Sequence, residues 1–86
     1  MDMNLFVKNL RYFRRKRGLS QKEFSKTIGI NRSTFAAYEE GRAEPTIKNY
    51  LLICEFFGYD PSYFYDFDLV SFDKINNPPN KVNKLK

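Results

Sequence analysis

The chain holds four glycines, at positions 18, 29, 41 and 58, and each stands behind a run with helical apolar spacing and shortly before a strong helix-starting residue. Ser20, Asn31, Thr46 and Asp60 are those starters, and their side-chain oxygens suit the orphan amides of a first helical turn. This punctuation confines the polypeptide to short helices joined by tight turns. Phe6, Leu10 and Phe13 recur at helical spacing before Gly18 and predict the first helix, from Met3. Ser20-Gln21-Lys22-Glu23 forms a capping-box pattern ahead of Phe24 and Ile28, the apolar residues of the second. Asn31 opens a third helix with a narrow inward face of Phe35 and Tyr38. Gly41 closes it, because glycine takes the left-handed conformation at a helix end without steric cost.

After Thr46, the residues Ile47, Tyr50, Leu51, Cys54 and Phe57 lie on one helical stripe, which Leu52, Ile53 and Phe56 widen. Asp60-Pro61 predicts a short fifth helix through Tyr63 and Phe64, since proline fits the first helical position. Residues 67–72 read as a short strand or irregular chain, and 74–86, rich in Asn, Lys and Pro, as a mobile basic tail. The expected organisation is a helical domain over 1–66 followed by an extension over 67–86.

With 86 residues the chain makes one small core, which excludes a large enzyme. It has no His and a single Cys, Cys54, so no structural zinc set, disulfide framework or imidazole base is available, and no metal or other cofactor is expected. The acidic residues Asp66, Asp68 and Asp73 lack an accompanying nucleophile or phosphate loop and read as an acidic side rather than an active site. The apolar run from Tyr50 to Cys54 is far below the roughly 20 residues of a membrane span, and the amino terminus lacks a secretion signal. A soluble, cytoplasmic, non-enzymatic protein is the expectation.

Charge is sectored. Residues 1–42 carry ten Lys or Arg against four acids, 43–73 one Lys against six acids, and 74–86 four Lys and no acid. Such asymmetry orients a molecule toward a polyanion. By itself it is equally compatible with nucleic acid, a membrane surface or a solvated helix face.

The residues Leu19-Ser20-Gln21, Phe24, Ile28 through Phe35, Tyr38-Glu39-Glu40-Gly41 and Pro45-Thr46-Ile47 together resemble the helix-turn-helix domain of the phage repressor and Cro (XRE) family. The resemblance covers about residues 5–66 and implies an all-α, compact five-helix, lambda-repressor-like fold that binds double-stranded DNA. A helix projected by such a turn fits the major groove, where each base pair shows a distinct donor and acceptor pattern. With Phe35 and Tyr38 inward, Arg32, Ser33, Ala36 and Ala37 face the groove as base-contacting candidates. Arg32 suits a forked pair of bonds to guanine, or a phosphate; the two alanines offer only methyl contacts to thymine, which leaves more to DNA shape.

The resemblance further implies phosphate contacts at Gln21, Asn31, Thr34, Gly41, Arg42, Ala43, Thr46 and Lys48, and a structural ion pair between Arg14 and Glu39. A homodimer is expected, with Leu52, Phe56, Tyr63 and Phe67 as candidates for its interface; the alternative is that these aromatic and apolar residues serve as core. A competing reading makes the chain an antitoxin-like module that grips an antagonist or partner protein, for which a small Ala36-Ala37 surface is suitable.

Overall fold

The computed structural model describes residues 3–76, which form α1 (Met3–Lys16), α2 (Gln21–Ile28), α3 (Arg32–Glu39), α4 (Ile47–Phe57) and α5 (Leu69–Asn76), with no strand among them. None of these helices is long and apolar enough to cross a membrane. The starts of α2, α3 and α4 follow the side-chain chemistry of their first residues. Ser20 Oγ accepts from the Glu23 amide at 3.0 Å while Glu23 Oε1 accepts from the Ser20 amide at 2.9 Å, closing the capping box. Asn31 Oδ1 accepts from the amides of Ser33 and Thr34, and Thr46 Oγ1 from that of Asn49.

All four glycines have positive φ, and no other described residue does. At Gly41 the need is conformational rather than spatial. Its φ is 72°, whereas an added Cβ would meet Val7 Cγ2 at an ordinary 3.7 Å. The left-handed residue lets the Arg42 amide reach back to the Ala37 carbonyl at 2.9 Å, ending α3 and turning the chain toward α4.

The core is built largely of rings. Phe6, Phe24, Phe35 and Phe64 are fully buried together with Leu10 and Ile53. Phe24 of α2 stacks on Phe57 of α4 at 5.4 Å, and Phe6 of α1 stacks on Tyr65, in the segment after α4, at 4.8 Å. Such pairs add about 0.5–1.5 kcal/mol each beyond the area they bury.

Expectations from the sequence are corrected in the segment after α4 and on α4 itself. Residues 60–66 form consecutive turns, not a helix. Asp60 does cap, its Oδ1 accepting from the Ser62 amide at 2.9 Å, but a longer-range partner then diverts the chain. Asn9 of α1, fully buried, donates from Nδ2 to the carbonyls of Phe64 and Phe67, both at 3.0 Å, and so pins the end of these turns to α1.

The stretch read as a strand or irregular chain at 67–72 instead enters α5, which also takes Lys74, Ile75 and Asn76 from the expected mobile tail. The rest of that tail, 77–86, lies outside the described residues. Asp68 starts α5 by accepting from the Ser71 amide at 3.1 Å, and Asn9 Oδ1 accepts from the buried Leu69 amide at 3.0 Å. Asp68 and Asp73 are consequently not a free acidic side. Asp68 binds Lys8 at 2.8 Å, which holds its carboxyl down at about 2, and Asp73, buried, binds Lys16 at 2.6 Å and the Tyr12 hydroxyl at 2.7 Å.

Finally, the buried side of α4 is Ile53, Cys54 and Phe57, with Tyr50 half-covered. Ile47 and Leu51, expected on that stripe, are 80% and 46% exposed. Apolar residues run nearly all round this helix, so packing alone selects the inner side.

Because Asn9 satisfies three backbone groups at the junction before α5, Asn9→Ala should cost about 1–3 kcal/mol for each group left buried without a partner. Hydrogen exchange should show the amides of α5 losing protection before those of α2 and α3. Uniform loss across all the helices would contradict the anchoring role.

Candidate nucleic-acid interface

Three residues, Gly29 to Asn31, separate α2 from α3, and the second helix is tied down along its inner side. Phe35 is fully buried, with Tyr38 and Glu39 each 2% exposed. Phe35 meets Phe24 of α2 with ring centroids 5.0 Å apart. At the far end of α3 the Glu39 carboxylate receives three donors. Arg14 contributes Nε at 2.6 Å to Oε2 and Nη2 at 3.0 Å to Oε1, and Gln21 contributes Nε2 at 3.0 Å to Oε1. The remaining Arg14 nitrogen, Nη1, donates to the Leu19 carbonyl at 2.7 Å. The pair expected between Arg14 and Glu39 is therefore present in forked form, the geometry a planar guanidinium offers a carboxylate.

Gln21, from the first turn of α2, completes the clamp, so α1 and the start of α2 are fastened to the same α3 side chain, Glu39. A fourth connection was not legible as such in the sequence. Asn49 of α4 donates from Nδ2 to the Tyr38 hydroxyl at 2.9 Å, bracing α3 from the opposite side. Its only sequence signal is a polar residue on an otherwise apolar helix opposite a tyrosine.

The outward side of α3 carries Arg32 and Ser33, both exposed, and Thr34, Ala36 and Ala37, all half-buried. Asn31 turns its oxygen into the cap, leaving its amide nitrogen free of that role. Beyond α3, Gly41, Arg42 and Ala43 form an exposed turn that leads to Thr46 and Lys48, also exposed, at the start of α4. Arg42 Nε donates to Glu40 Oε1 at 2.7 Å. Neither Arg32 nor Lys48 has a carboxylate partner among the described residues. At the N-terminal ends of α2, α3 and α4 the cap side chains take the amides of Glu23, Ser33, Thr34 and Asn49, and the positive end of each helix dipole there favours anions.

The four candidate interface residues divide. Phe56 is half-buried, edge-on to Phe24 at 5.0 Å and beneath the Arg17 guanidinium at 4.9 Å, so it belongs to the rim of the core. Leu52 is half-buried as well. Tyr63 and Phe67 are 41% and 54% exposed and touch each other edge to face at 5.3 Å. They line an apolar groove of about 360 Å³ with Tyr59 and with Phe72, itself 57% exposed. Phe72 had no signal in the sequence, because α5 did not.

The helix-turn-helix family model matches residues 10–64, and the chain belongs to that family, in its phage repressor and Cro branch. It is 37% identical to an uncharacterized HTH-type transcriptional regulator of Methanocaldococcus jannaschii over 49 residues, which cover 57% of this chain and 74% of the relative. Over 71 residues it is 34% identical to the antitoxin PezA of Streptococcus pneumoniae, covering 83% of this chain and 42% of that protein. Over 54 residues it is 32% identical to the cryptic phage CTXphi transcriptional repressor RstR of Vibrio cholerae, covering 63% of this chain and 49% of that one. The chain thus spans less than half the length of the latter two. No solved structure matches it.

Removing one partner of a buried, hydrogen-bonded ion pair leaves the other charge uncompensated. Glu39→Ala should therefore lower unfolding free energy by about 3–5 kcal/mol. Glu40→Ala, which breaks only an exposed contact, should cost less than about 1 kcal/mol. Urea unfolding of both variants checks the difference, and equal losses would remove the clamp from the account of stability.

Proposed function

We propose that this chain is a sequence-specific DNA-binding transcriptional regulator that reads the major groove with α3 and acts as a homodimer on an inverted-repeat site. The observation that carries this reading is the contrast between the two sides of α3. The inner side is fixed by Glu39 with Arg14 and Gln21, and by Tyr38 with Asn49, while Arg32 stands exposed and without an acidic partner at the outer first turn. A rigidly held helix with an uncompensated guanidinium at its leading end suits forked bonds to guanine O6 and N7. Ser33 adds a hydroxyl, and Ala36 and Ala37 add methyl surface for thymine. So short a set of polar contacts leaves a large share of selectivity to DNA shape.

Phosphates on either side of the groove are taken by Gln21, Asn31 and Thr34 at the starts of α2 and α3, by the amides of Gly41 and Ala43 with Arg42, and by Thr46 and Lys48 at the start of α4. Helix N-termini and cationic side chains position a duplex without reading it.

Two half-sites about 34 Å apart let two such helices combine their affinity. The exposed Tyr63 and Phe67, and the solvent-facing parts of the half-buried Leu52 and Phe56, supply apolar surface for a second copy. Similarity to a phage repressor supports repression by occupancy of the site. The same aromatic surface, and the similarity to an antitoxin over 83% of this chain, support a second reading in which a different protein docks there.

Selection of duplexes from a random pool at one salt concentration tests the first reading. The parent should enrich an inverted repeat. Arg32→Ala should lose about 1–3 kcal/mol of discrimination at one base position of each half-site. Binding that enriches no sequence would move the partner-protein reading to first place. Phe67→Glu should lower the solution mass from dimer to monomer while retaining the helical circular dichroism. An unchanged mass would take Phe67 out of the interface.

A further inference from the structure

Along α1, Asn4, Lys8, Arg11 and Arg15 recur at intervals of three or four residues and form one stripe. They floor an open groove of about 740 Å³, walled on one side by Val70 of α5 and on the other by Gly41 in the turn after α3. Val7, on the same side of α1, lies against Gly41, so the groove begins where the proposed phosphate-binding turn ends.

The cations here are not equivalent. Lys8 is bound to Asp68, Lys16 to Asp73, Arg14 to Glu39 and Arg42 to Glu40. Arg11 and Arg15 are exposed and have no carboxylate partner among the described residues. The one acidic residue lining the groove, Glu40, already binds Arg42 at 2.7 Å.

An unpaired arginine pair in a groove open to solvent suits a ligand with regularly repeated negative charge. From Arg11 to Arg15 the helix rises about 6 Å, at 1.5 Å per residue. That is about two steps of one DNA strand at 3.4 Å of axial rise each.

We infer that Arg11 and Arg15 grip the phosphate backbone of duplex DNA flanking the segment read by α3, extending the footprint beyond the helix-turn-helix itself. The inference rests on the DNA-binding reading above and adds a second, sequence-independent anchor to it. It makes α1 both the strut that orients α3, through Arg14, and a contact surface in its own right.

The test compares the parent, an Arg11→Gln/Arg15→Gln variant and an Arg11→Lys/Arg15→Lys variant on two duplexes, the selected site with flanking base pairs and the same site trimmed of them. Affinity is measured as a function of salt. Each neutralised phosphate contributes about 0.9 to the logarithmic salt slope, so the glutamine pair should flatten it by about 1.8 per protomer on the long duplex. It should leave the preferred base sequence unchanged, and the lysine pair should restore the slope. On the trimmed duplex the three proteins should agree.

A glutamine pair that keeps the parental slope on the long duplex overturns the α1 contact alone and leaves the reading by α3 standing. A parent that binds neither duplex overturns both. An unchanged DNA slope with lost binding to phosphatidylserine vesicles would overturn the DNA contact and reassign the groove to a membrane surface. Both arginines are exposed, so equal melting temperatures for the three proteins are expected.

Discussion

A carboxylate almost completely withdrawn from water, Glu39, organises this molecule. Burying it is costly, and the cost is offset only while Arg14 and Gln21 supply their three hydrogen bonds. Those donors come from α1 and from the first turn of α2, while the acceptor sits at the last turn of α3. The pair therefore acts through direction more than through net stability. It sets the angle at which α3 leaves the body, and with it the position of Arg32 at the opposite end of that helix.

A second polar anchor organises the other half. Asn9 is fully buried among aromatic rings, and all its hydrogen-bonding atoms are engaged with the backbone between Phe64 and Leu69. The Tyr12 hydroxyl, bound to Asp73, is pushed up to about 12, and with Lys16 it holds α5 against α1. Because polar bonds do this work, α5 can keep Phe72 and Ile75 outward, 57% and 78% exposed. Polar docking on one side and apolar exposure on the other leave a surface available for a second chain. Cys54 takes no part. It is buried in the core, and burial pushes its thiol up, away from the reactive thiolate.

Much of the scaffold that carries the candidate site was legible in the sequence. Caps at Ser20, Asn31 and Thr46 act within three residues of themselves, so local sequence carries them in full. Arg14 with Glu39 came from resemblance to a family and not from periodicity, because nothing local says that residues 25 apart meet; the bond from Gln21 to Glu39 appears only in the structure. Asn49 against Tyr38 escaped both routes. The fifth helix was misplaced for the same reason. Asp60-Pro61 is a good local start, but Asn9, more than fifty residues earlier, binds the carbonyls of Phe64 and Phe67 and the Leu69 amide and fixes the path of the chain there.

By itself the sequence determined short helices, their starts and stops, an aromatic core and a basic amino-terminal half, since each of these depends on neighbours within about one helical turn. Tertiary structure alone decided which side of α4 turned inward, where the last helix began, and which cations were already matched by acids. Those outcomes depend on competition between distant partners for the same hydrogen bond, charge or apolar surface. Lys8 and Arg11 look alike in the sequence; only the approach of Asp68 to one of them leaves the other uncompensated.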